Sequence, residues 1–113
     1  MGKREEQIAR NEVLFRDVNE RVKAVLAEIG VSDQLEVFCE CGRGDCAAKI
    51  DISLPDYEAV RVHPARFLVL QGHEFPEIED VLVSPDGYLI VEKREPFAEI
   101  ARESNARACR ANV

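Results

Sequence analysis

Near the N-terminus, apolar side chains recur at spacings of three and four: Ile8, Phe15, Val18, Val22, Val25 and Ile29, with Asn11 in the same row and Leu14 and Leu26 flanking it. This heptad-like stripe predicts one long amphipathic helix over residues 5–29. Gly30 follows where a helix end favours a residue free to take positive φ. Such a helix either lies across a sheet or pairs with a partner or a second copy, Asn11 then setting the register.

The period then shortens to two. Leu35-Glu36-Val37-Phe38-Cys39 and Lys49-Ile50-Asp51-Ile52-Ser53-Leu54 alternate and predict two strands of a hairpin. Ser53-Leu54-Pro55-Asp56 has the form of a helix start, so a short helix is expected over about residues 55–62, stopping before Pro64. Arg66-Phe67-Leu68-Val69-Leu70 is nearly continuous in apolar residues, as in a strand buried on both faces. Ile78–Val83 and Tyr88–Lys93 flank Ser84-Pro85-Asp86-Gly87, a hairpin turn. A weaker amphipathic helix is expected over residues 96–109. The order αββαβββα describes a single α+β domain over residues 1–113. Its expected parts are a long N-terminal helix, a largely antiparallel sheet of about five strands within residues 35–93, a short middle helix and a C-terminal helix.

Chemistry concentrates at the tip of the first hairpin. Cys39-Glu40-Cys41-Gly42-Arg43-Gly44-Asp45-Cys46 places three cysteines within one short loop, out of four in the chain. Soft sulfur donors suit a thiophilic ion, zinc before iron; an iron–sulfur cluster is the alternative. Gly42 and Gly44 supply the bend, and Glu40 and Asp45 are expected to stay in solvent. The fourth ligand has three candidates: His73 after Gly72 in a tight loop, His63 before Pro64, and Cys109 near the C-terminus. An eleven-residue connection, Pro55 to Ala65, is short for a parallel crossover. Antiparallel return would bring His73 to the cysteine edge, so His73 is preferred. The metal set is therefore Cys39, Cys41, Cys46 and His73, and the site would staple the hairpin.

Charge narrows the functions. The chain carries a net −7, and residues 31–95, with six basic and fourteen acidic side chains, account for −8. Such a body repels phosphate backbones, which argues against nucleic acid. No run approaches the ~18 consecutive apolar residues of a membrane span, and Met1–Glu6 is charged where a signal peptide is apolar. The expected location is the cytoplasm, where clustered cysteines point to metal or redox chemistry rather than disulfides. Catalytic groupings are few. His73-Glu74 is adjacent rather than the His-x-Glu of zinc deaminases, and neither a Gly-x-Ser-x-Gly elbow nor a phosphate loop occurs.

Several stretches together resemble a group of small actinobacterial proteins with no assigned function. They are Ala9-Arg10-Asn11-Glu12, Phe15–Arg21, Cys39-Glu40-Cys41 with Asp45-Cys46, Tyr57–Arg61, Arg66-Phe67, Gly72-His73-Glu74 and Val91-Glu92-Lys93. The resemblance implies no activity; it implies that Gly72-His73 belongs with the cysteines. The expectation is a small zinc-binding cytoplasmic protein with a structural site, acting as a protein-interaction or regulatory module. A protein partner of unknown identity and a homodimer through the N-terminal helix both fit that expectation. A thiol-based redox or metal sensor is the alternative, and a metal-dependent enzyme ranks third.

Overall fold

The computed structural model describes residues 3–30, 33–83 and 87–103. Helix α1 spans Lys3–Glu28, strands β1 and β2 span Gln34–Phe38 and Lys49–Ser53, and helix α2 spans Leu54–Arg61. Strands β3 (Arg66–Val69), β4 (Glu79–Val83) and β5 (Leu89–Lys93) follow, then helix α3 (Phe97–Glu103). The class is α+β, with five antiparallel strands divided between two sheets, β1-β2 and β3-β5-β4. Residues 84–86 of the turn expected at Ser84-Pro85-Asp86-Gly87, the rest of the expected C-terminal helix and Cys109 lie outside the described residues.

Strand alternation does what the pattern predicts. Leu35 and Val37 of β1 pair with Ile52 and Ile50 of β2 and turn inward, while Glu36 and Asp51 face solvent. Ser53 caps α2, its hydroxyl accepting from the Asp56 amide at 3.3 Å, with Pro55 in the first turn. Phe67, Leu68 and Val69 of β3 are fully buried, as a continuous apolar run requires. β3 nonetheless lies at the edge of its sheet. Its free side is covered by the chain leaving β1, where the Glu40 amide donates to Leu68 O at 2.7 Å. What runs beside β3 is therefore the cysteine segment rather than β2, and α2 carries the chain from one sheet to the other.

Helix α1 differs from expectation in its facing. Ile8, Ala9, Glu12, Val13, Arg16 and Asn19 are buried, a row rotated by about a third of a turn from the predicted stripe. Val25 and Ile29 are 56% and 68% exposed, and Leu14 is 58% exposed. Polar contacts hold the buried row. Arg16 donates to Pro64 O at 2.6 Å and Ala101 O at 3.0 Å. Asn19 donates to Phe38 O and accepts from the Phe38 amide, both at 2.8 Å. Glu12 is ion-paired with Lys93, which also meets Glu79 at 2.5 Å, and all three side chains are fully enclosed. Among the described residues, no helix is long and apolar enough to cross a membrane.

Candidate metal centre

The hairpin pairing runs one step past the strands, with the Cys39 amide donating to Ala48 O at 2.9 Å. The chain then turns through residues 40–47, where the Cys46 amide donates to Arg43 O at 3.2 Å. Gly42 is needed here for space rather than for its backbone angle. A Cβ at this position would stand 2.7 Å from the carbonyl oxygen and 2.9 Å from the Cα of Ile8 in α1. Asn11 of α1 donates to Gly42 O at 3.0 Å. Gly42 and Gly44 do lie in the bend, as the sequence predicts, but neither holds it by a positive φ. Positive φ occurs at Gly30, Gly72 and Gly87 among the described residues, and a Cβ at Gly44 would meet only Asn11 at 3.9 Å.

His73 arrives from the other sheet. After β3 the chain makes a tight turn in which the His73 amide donates to Leu70 O at 2.9 Å, with Gly72 at φ 89°. The Gly72 amide donates to Glu74 Oε1 at 2.9 Å and steadies the turn. The ligand atoms of Cys39, Cys41, Cys46 and His73 all lie within 4.8 Å of one another. His63, exposed beyond the end of α2, is not a member of this group.

The spacing is one that a single ion could bridge. His73 Nδ1 stands 3.6 Å from Cys39 Sγ and 3.7 Å from Cys46 Sγ. Bonds of about 2.3 Å to sulfur and about 2.05 Å to nitrogen at a tetrahedral angle give a sulfur–nitrogen edge of about 3.6 Å.

Each sulfur also receives a backbone amide. Leu70 N donates to Cys39 Sγ at 3.2 Å. Arg43 and Ala48 serve Cys41 and Cys46 in the same way. Such donors stabilise thiolates and orient them. Without an ion the thiols hold their protons unevenly. The hydrogen bond from Cys41 draws the Cys39 pKa down, against burial that pushes it up. The same bond pushes Cys41 up to about 12, with burial adding to it, and burial raises Cys46. This Cys3His group can hold a metal ion with its thiols deprotonated. Cys39 and Cys41 are fully buried, while Cys46 and His73 are half-buried.

Glu40 corrects the sequence reading. Its carboxylate is wholly enclosed, in an ion pair with Arg61 at 2.7 Å, while Asp45 is exposed as expected. Arg61 lies 21 residues away on α2, so local spacing gives no sign of the pairing. An acidic residue between two cysteines was the available signal, since a charge beside a metal cluster has either solvent or a cation as partner. No protein-family profile matches this chain, and no curated protein or solved structure shows significant similarity to it.

Proposed function

We propose that this is a zinc-binding protein whose ion is structural and that it acts as a protein-interaction or regulatory module in the cytoplasm. One observation carries the metal reading: three cysteine sulfurs and one histidine nitrogen converge to within 4.8 Å, two of the four residues fully buried. Three thiolates and an imidazole form a soft, four-ligand, tetrahedral set, which favours zinc in a closed, structural role. The spacing suits a single ion better than a cluster of iron and sulfide. The outward stripe of α1 supports the interaction role. Val18, Val22, Val25 and Leu26 line a groove with Arg21 at its side, a shape that accepts an apolar helix face.

Elemental analysis of protein purified without added metal is expected to give about one zinc per chain. Absence of metal, or the visible absorbance of an iron–sulfur cluster, overturns the reading. Cross-linking with wild-type protein and a Val22→Glu/Val25→Glu variant tests the surface. A specific partner lost in the variant supports it, and identical patterns remove α1 as the contact. The half-exposed Cys46 favours a second reading, a thiol sensor that oxidants enter at this ligand. Stoichiometric zinc release by mild peroxide supports that reading, and retention rejects it.

A further inference from the structure

Between its two flanking ligands, Glu40 makes every contact a carboxylate can use. Arg61 Nη2 and Nη1 donate to Oε1 and Oε2 at 2.7 and 2.9 Å, a two-pronged fork. Asn19 Nδ2 donates to Oε2 at 2.7 Å, and the Leu68 amide to Oε1 at 3.0 Å. These donors come from α2, α1 and β3. Both partners of the ion pair are enclosed, with side chains 0% and 2% exposed. A buried ion pair is a poor device for stability alone, because removing two charges from water offsets much of their attraction. What four donors on one carboxylate do supply is a fixed position.

That position is next to the metal ligands on both sides. Successive side chains of an extended chain point in opposite directions. With Glu40 directed at Arg61, Cys39 and Cys41 are turned the other way, toward His73. Asn19 also grips Phe38, the residue before Cys39, donating to its oxygen and accepting from its amide, both at 2.8 Å. The Glu40 amide ties the Cys39–Glu40 peptide to Leu68 O. The backbone carrying two of the four ligands is thereby held by three elements that contribute no ligand.

We propose that Glu40 is the positioning residue of the metal centre, and that its clamp by Arg61, Asn19 and Leu68 presets Cys39 and Cys41 for the ion. The proposal rests on the zinc reading above. Its effect is on affinity. Removing partners that orient metal ligands weakens binding roughly ten- to a hundredfold.

The test uses the full chain and two probe ions. Zinc affinity is measured by competition with a chelator, well below the melting temperature, and Co²⁺ absorption reports the ligand field. Variants are Glu40→Gln, which keeps shape and loses charge, and Arg61→Lys, which keeps charge and loses the fork. Ile52→Ala, a core cavity at the open end of the hairpin, is the control for stability. Glu40→Gln is expected to bind zinc at least roughly tenfold more weakly and to alter the tetrahedral Co²⁺ bands. Ile52→Ala should melt lower yet keep wild-type affinity and spectrum. If Glu40→Gln does not fold, Arg61→Lys carries the test with the same expectation. Wild-type affinity and spectrum in the folded clamp variants overturn the proposal, as does an equal loss in Ile52→Ala. Failure of the wild type to bind either ion overturns the zinc reading itself.

Discussion

His73 and His63 differ in what surrounds them, and the difference sets what each can lose. His73 Nδ1 sits at ligand spacing from two sulfurs, whereas His63 is exposed past the end of α2. His73→Ala is expected to lose most of the bound zinc and expose the cysteines to thiol reagents. His63→Ala should retain the metal, with stability within about 0.5 kcal/mol of wild type. Zinc content of the two purified variants checks this, and a reversed result reassigns the ligand. Protons give a second residue-level consequence. Cys41, pushed up to about 12, and Cys46, also raised, must both deprotonate to bind an ion. Release of at least these two protons makes apparent zinc affinity fall by at least roughly a hundredfold for each unit that pH drops below neutrality. Chelator competition at several pH values measures the slope, and a pH-independent affinity contradicts it. The cysteine cluster was legible because its members are neighbours in the chain. The role of Glu40 was not, because all its partners are distant.

Among the elements, α1 shows how a pattern can be read correctly for type and wrongly for face. Its three-and-four spacing does mark a helix, but the buried row contains Glu12, Arg16 and Asn19. Their partners are backbone groups and charges supplied by distant segments, and an apolar count cannot anticipate these. Val25→Glu should therefore change stability by no more than about 0.5 kcal/mol. Ile52→Ala should cost about 2–5 kcal/mol; chemical denaturation distinguishes them. Glu12 adds a pH dependence. Burial, with Glu79 adding to it, raises its pKa well above 4.5 against the pull of Lys93. An acid with a raised pKa holds its proton longer in the folded state, so stability falls as pH rises through the window above 4.5. Glu12→Gln mimics the protonated form. It is expected to melt above wild type at pH 8, with the gap closing toward pH 5; a gap that widens on acidification rejects this account.

For the whole molecule, the expected single sheet divides in two because α2 carries the chain across to β3 instead of returning it beside β2. Strand positions and the two hairpin pairings, β1-β2 and β4-β5, were legible from alternation and turn residues, but the placing of β3 beside β5 was not. Pairing depends on where the cysteine segment lies, and that segment pairs alongside β3. Cys39 and Cys46 belong to the hairpin and His73 to the end of the other sheet, 34 and 27 residues on. An ion here joins the two sheets. In a chain-entropy account, closing a loop of that length is worth about 3–4 kcal/mol, the scale of a disulfide.

Two amides make that joint observable in time. Leu68 and Leu70 donate to the Glu40 carboxylate and to the Cys39 sulfur, so each is sealed by the partner hairpin rather than by β5. Their exchange with deuterated solvent requires the hairpin to lift away from β3, whereas Phe67 and Val69 are paired within their own sheet. With zinc bound, Leu68 and Leu70 should exchange as slowly as the slowest amides of the protein. Chelation should speed these two well before it reaches β5, and equal acceleration across β3 and β5 would mean the sheets open as one. On that expectation the seam between the sheets is a clock whose rate a bound ion would set.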